Sequence, residues 1–232
     1  WRLGSSLGID PLSQGMKVCS FDCRYCQLGK TEAYSIERKN YVEVDDVIDE
    51  LDSVPPVSID YITFSGSGEP TLAANLWHMI RAVKEIRKEP VAVITNSSLL
   101  YREEVRGDLY LADTVVAKLD APSAKIFDQI NRPAAGITFE ETINGMRKFR
   151  NEYQGKLALQ VMFINENKHF AHEMAELARD LNADEVQINT PLRPSNVLPL
   201  SREALSEIEQ LFQGMHVVSV YAAEHTQVDP IS

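Results

Sequence analysis

The chain has 232 residues, 44% of them hydrophobic and 25% charged, and acidic residues outnumber basic ones 34 to 23 for a formal net charge of −11. This composition excludes a disordered or fibrous chain and is enough for one sizeable core. No apolar run approaches the ~20 residues of a membrane span, no signal peptide opens the sequence, and the acidic balance opposes long-range attraction to a phosphate backbone. A soluble, cytoplasmic protein with no membrane partner is expected, and nucleic acid is not an expected partner. Trp1 stands where a methionine would start a chain, so residues 1–232 are expected to be a single core domain trimmed at one or both ends.

In chain order, residues 2–11 are rich in glycine and serine and read as loop, with Asp10-Pro11 marking a turn. Met16-Lys17-Val18 is a brief strand feeding a cysteine-bearing loop. Val44, Val47, Ile48 and Leu51 fall at helical spacing, and Pro55-Pro56 stops that helix. Strands are expected at 59–64, 91–95, 114–119, 157–164, 185–189 and 216–221. Between them lie amphipathic stretches, among them Leu72, Leu76, Met79, Ile80, Val83 and Ile86 on one face. Ser123, Thr138 and Ser201 stand at helix starts, Thr138 with Glu141 in a capping-box pattern. Strand–helix alternation throughout implies a parallel α/β sheet with right-handed crossovers. About six βα units fit, fewer than the eight of a closed barrel. The expected fold is a partial (β/α)6 TIM-like barrel with a curved parallel sheet.

All three cysteines, Cys19, Cys23 and Cys26, lie in one loop spaced C-x3-C-x2-C. Thiolates this close suit a soft metal or an iron–sulfur cluster. A cubane cluster fully ligated by protein takes four cysteines, so a cluster here keeps one iron without a protein ligand. Such an open position is what a metal centre needs for chemistry. A structural zinc site calls for a fourth ligand, and the nearest histidine, His78, falls in a helical stretch. Disulfide pairing leaves one thiol over.

Tyr25 completes a C-x3-C-x-aromatic-C pattern, in which the chain resembles the radical S-adenosylmethionine superfamily. The resemblance implies a [4Fe–4S] cluster on Cys19, Cys23 and Cys26. It also implies S-adenosylmethionine chelated by the open iron, a low-potential electron donor, and reductive cleavage to a 5'-deoxyadenosyl radical that abstracts hydrogen from substrate. An oxygen-sensitive enzyme follows. In parallel sheets, ligands sit at the carboxyl ends of strands, and several polar groups are expected there. Gly66-Ser67-Gly68-Glu69 resembles the family's glycine–glycine–glutamate motif, which holds the methionine amino group, with Ser67 in place of the first glycine. Tyr25 is expected near adenine. Asn96 and Asp120 are ribose candidates, and Gln160 and Asn189 are further cofactor candidates. Turn formation, helix capping and core hydrogen bonding are the competing roles for these residues. Arg132 and Arg193 are candidates for binding substrate. His169 and His172 stand at i and i+3 with no third ligand near in sequence.

Leu119-Asp120-Ala121-Pro122, Ile130-Asn131-Arg132-Pro133 and the opening Arg2-Leu3-Gly4-Ser5-Ser6-Leu7-Gly8 narrow the resemblance toward the tRNA wyosine synthase branch. That branch carries a second cluster on additional cysteines, which this chain lacks. The expected substrate is therefore a small molecule or a peptide. A tRNA-modifying enzyme and a non-catalytic zinc or iron–sulfur module are the alternatives.

Overall fold

The computed structural model describes residues 2–55 and 57–223. Its strands are β1 (Ser6–Ile9), β2 (Val18–Cys19), β3 (Ala33–Tyr34), β4 (Tyr61–Phe64), β5 (Val91–Thr95), β6 (Thr114–Lys118), β7 (Lys156–Met162), β8 (Glu185–Asn189) and β9 (Val217–Ser219). Its helices are α1 (Val44–Ser53), α2 (Leu76–Ile86), α3 (Glu103–Leu109), α4 (Ala124–Ile130), α5 (Phe139–Glu152), α6 (Ala171–Leu181) and α7 (Arg202–Gln210).

Seven strands form one sheet in the order β1-β4-β5-β6-β7-β8-β9, and every neighbouring pair is parallel. Chain order and spatial order coincide, so each right-handed crossover steps in the same direction. Right-handed crossovers stepping one way place helices on one face of the sheet. There α1, α2, α3, α5, α6 and α7 bury residues in the main core, whereas α4 packs Ile126, Phe127 and Ile130 with the cysteine loop. Six crossovers join the seven strands, in keeping with about six expected βα units. Strands β4 to β9 were expected and β1 is the added strand, and the curved sheet is a partial barrel.

Register shows how the faces differ. Val115, Ala117, Leu157, Leu159, Val161, Val186 and Ile188 pack into the main apolar core with the helices. Their alternates point to the opposite, inner face because the strand period is two. There Lys118, Gln160 and Gln187 lie side by side across three strands. On the helix side, α2 buries Leu76, Met79, Ile80 and Val83 completely, each stabilising the fold by about 1.5–3 kcal/mol before conformational entropy is subtracted. Thr138 caps α5 by accepting from Glu141 N at 3.2 Å while its hydroxyl bonds the Glu141 carboxylate, and Ser201 caps α7.

Two expectations need correction. Residues 6–9 are a strand, not loop: their burial alternates between exposed and half-buried at the sheet edge, so glycine and serine there lose little packing. Ser123 precedes α4 without a side-chain cap. Val18–Cys19 is a strand, as expected for Met16-Lys17-Val18, and pairs with β3 in a two-stranded ribbon. Pro56, one of the two expected helix-stopping prolines, lies outside the described residues.

Candidate functional site

The loop from Cys19 to Cys26 is held at the carboxyl ends of β4, β5 and β6 by bonds from both flanks. On one side Glu69 N donates to Val18 O at 3.2 Å, and Val18 bridges Gly68 in parallel. A Cβ on Gly68 would fall onto the Val18 carbonyl and lie 2.7 Å from Leu12 Cδ1. The glycine thus permits close approach of the protein's own backbone. Gly66 has φ +147, and a Cβ there would collide with Asp10. Asp10 follows β1 and accepts from Ser67 N at 2.9 Å and Ser67 Oγ at 2.6 Å. Asp10 was legible only as a turn residue, yet it sets the glycine loop.

On the other side, residues 130–134 run along the cysteine loop. Asp22 N donates to Asn131 O at 3.0 Å, Arg24 N to Ile130 O at 2.9 Å, and Ala134 N to Ser20 O at 2.8 Å. Asp120, just past β6, ties this edge together. Its carboxylate accepts from Tyr25 Oη, from Asn131 Nδ2 at 2.9 Å and from Met162 N at 3.1 Å. Burial first, then the Asp120 carboxylate, holds the Tyr25 phenol well above its usual range. Lys118 Nζ sits 4.5 Å from the centre of the Tyr25 ring, a cation–π contact.

Glu69 is fully buried at the end of β4. Oε1 accepts from Thr71 N at 3.2 Å, Thr71 Oγ1 at 2.6 Å and Thr95 Oγ1 at 2.6 Å, and Oε2 from Asn96 N at 2.7 Å. Burial raises its carboxyl pKa against the pull of those donors. Its carboxylate joins the turn after β4 to the end of β5.

The sulfurs themselves have amide donors. Phe21 N lies 3.5 Å and Asn96 Nδ2 3.6 Å from Cys19 Sγ, and Asn131 Nδ2 lies 3.5 Å from Cys23 Sγ. Burial, then Glu69, pushes the Cys19 thiol up to about 12, and burial pushes Cys23 up to about 11 despite Lys118. A metal cation reverses that preference by supplying the countercharge, and N–H···S bonds favour thiolate ligands. Among the described residues no three His, Cys, Asp or Glu side chains converge on a single-ion position. A cubane does not require such convergence, since each thiolate binds a different iron. Three unpaired thiols on one loop, two of them receiving N–H donors, fit a cluster.

The remaining predicted residues are distributed as follows. Gln160 is buried on the inner face, its Nε2 without a hydrogen-bond partner among the described residues. Asn189 ends β8, and its Oδ1 accepts from Thr190 N at 2.8 Å. Arg132 pairs with Asp22 at 3.4 Å on the flank of the cysteine loop. Arg193 is exposed and reaches Gln27 Oε1 at 3.3 Å, beside Cys26. His172 pairs with Glu176 one turn along α6. Sequence reasoning brought the strand-end residues Glu69, Asn96 and Asp120 to one place. It missed Asp10, Ser98 (whose Oγ lies 2.7 Å from Ser20 Oγ) and the sulfur-directed amide of Asn131.

The Radical SAM superfamily model matches residues 14–178. The chain belongs to the radical SAM superfamily. A UPF0026 protein of Synechocystis sp. is 40% identical over 88% of this radical SAM chain and 76% of its own length. A UPF0026 protein of Methanocaldococcus jannaschii is 35% identical over 91% and 68%, respectively. Among solved structures, Streptococcus suis SuiB bound to precursor peptide SuiA superposes with a TM-score of 0.70 at 16% identity. The match covers 94% of this chain and 49% of SuiB, so this radical SAM chain spans about half of that protein. SuiB has also been solved bound to S-adenosylmethionine. Among the described residues no helix is long and apolar enough to cross a membrane.

Proposed function

We propose that the protein is a radical SAM enzyme in which Cys19, Cys23 and Cys26 hold a [4Fe–4S] cluster with one iron left open to S-adenosylmethionine. The observation that carries this reading is the cysteine loop itself, three thiols without a fourth, seated across the carboxyl ends of a parallel sheet. When bound and reduced by a low-potential donor, cluster and cofactor together supply a 5'-deoxyadenosyl radical for hydrogen abstraction.

The chain's own residues bind and orient. Gly66, Gly68 and Glu69 shape the ledge for the amino-acid end of the cofactor, with Glu69 fixing the ledge through its four accepted bonds. Tyr25 and Asn96 flank the adenosine end, and Asp120 holds Tyr25 in place. Gln160 and Asn189 line the inner face below. The substrate is a small molecule or a peptide segment, which is consistent with the net charge of −11 and with the peptide that SuiB binds. Arg132 and Arg193, at the rim, are the residues assigned to it.

The test is anaerobic reconstitution with iron and sulfide, then incubation with S-adenosylmethionine and a low-potential reductant. About four irons per chain and formation of 5'-deoxyadenosine are expected. Reconstituted protein that binds zinc alone and leaves S-adenosylmethionine intact would refute the reading. Tight, strongly salt-dependent binding of bulk tRNA would move the assignment to the tRNA-modifying alternative.

A further inference from the structure

Two buried asparagines from different parts of the chain are arranged alike around the cysteine loop. Asn96 follows β5 and is 7% exposed; Asn131 follows α4 and is 3% exposed. Each spends one side-chain N–H on a cysteine sulfur and the other on an oxygen that fixes the amide plane. For Asn96 the contacts are Cys19 Sγ at 3.6 Å and Ser20 Oγ at 2.8 Å. For Asn131 they are Cys23 Sγ at 3.5 Å and Asp120 Oδ2 at 2.9 Å. Neither amide can turn away without breaking a second bond, and Asn96 Oδ1 is also engaged, by Ser98 N at 2.9 Å. Cys26 Sγ receives no hydrogen bond from the described residues, which leaves one corner of the triad without such a donor.

From this geometry we infer that Asn96 and Asn131 are positioning residues that set the reduction potential of the metal cluster held by Cys19, Cys23 and Cys26. The inference rests on the cluster reading above. A thiolate ligand carries more negative charge when its cluster is reduced, so an N–H aimed at sulfur stabilises the reduced state more than the oxidised one. Removing either donor lowers the potential. The anchors are unequal: Asp120 Oδ2 is a carboxylate oxygen and Ser20 Oγ is neutral. Asn96 compensates with its third bond, accepted by Oδ1 from Ser98 N, so the two losses are expected to lower the potential alike.

The experiment compares the parent with Asn96→Leu, Asn131→Leu and Asn131→Asp after anaerobic reconstitution, reading iron content and an EPR-monitored redox titration. Leucine keeps the volume without the donor; aspartate keeps the shape, removes the amide donor and shares one proton with the adjacent Asp120 carboxylate. Each leucine variant should lower the reduced-to-oxidised ratio at fixed potential by up to tenfold, a shift of up to about 59 mV for one electron. Asn131→Asp, which also lacks the amide donor, should shift in the same direction by a similar amount. A parent that assembles no cluster defeats the cluster reading itself. A parent with a cluster and variants of equal iron content and unmoved potential overturn the tuning role alone. Loss of iron from both Asn131 variants with circular dichroism unchanged also overturns it, by making the residue a requirement for assembly.

Discussion

Replacing Gly68 with alanine tests the central packing claim directly. The backbone of Gly68 needs no unusual torsion, so the cost is purely steric. The added methyl would overlap the Val18 carbonyl and sit 2.8 Å from its carbon, within the bridge that joins β4's loop to the first cysteine strand. Relief requires that bridge to open, losing the Glu69 N to Val18 O bond at about 1 kcal/mol and repacking Leu12 at about 1–3 kcal/mol. The total of about 2–4 kcal/mol corresponds to a fall in Tm of roughly 5–15 °C for a chain this size. Gly107 in α3 is the control, since nothing lies within 4 Å of a Cβ there, and Gly107→Ala should be neutral or stabilise by up to about 1 kcal/mol. Thermal unfolding of the metal-free protein, followed by circular dichroism, separates the two. A Gly68→Ala protein melting within 2 °C of the parent would show that the cysteine loop is not seated through this contact.

Glu69→Gln keeps the three bonds to Oε1 but sets an amide N–H against Asn96 N, costing about 1–3 kcal/mol; calorimetry should show weaker S-adenosylmethionine binding with iron content unchanged, and equal affinity would argue against a role in holding the cofactor. Cys23→Ala should abolish iron uptake without altering far-ultraviolet circular dichroism, and retained iron would remove Cys23 from the ligand set. A hydrogen bond from Arg87, its largest cause, lowers the Glu89 carboxyl from 4.5 to about 2. The folded value lies below the unfolded one, so the stabilisation is complete above about pH 4.5 and is lost as pH falls toward 2. Solvent screening keeps it under ~1 kcal/mol. The stability gap between parent and Glu89→Gln in urea titrations should therefore narrow from pH 6 to pH 3, and a gap that does not narrow would contradict the pairing.

Periodicity made most of the fold legible. The strands β4 to β9 and the helices between them announce themselves because their buried positions recur every two or every three to four residues. The edge strand β1 did not, since Ser6 and Gly8 carry little side chain and an edge needs little. The cysteine triad was legible because its spacing is itself chemistry. The strand-end residues were legible as a group, but their individual contacts were not. Asp120 and Glu69 are engaged chiefly with the protein's own donors, which lie from 2 to 95 residues away in sequence. Asn131 reads as part of a turn until α4 places its amide beside Cys23. Lys118, Gln160 and Gln187 form a row only once strand register is known.

The clasp of residues 130–134 along residues 20–24, together with the Gly68–Val18 bridge, bears on how the protein matures. In small zinc domains the metal organises an otherwise unfolded chain. Here the cysteine loop is already tied to the turn after β4 and to residues 130–134 by backbone bonds, and to the ends of β5 and β6 by side-chain bonds, none of which involves metal. If the proposed cluster binds here, the polypeptide is expected to fold first and to receive iron and sulfide afterwards. On the same cluster reading, protein stripped of metal is expected to keep that loop in its seat and to take up iron and sulfide again without refolding.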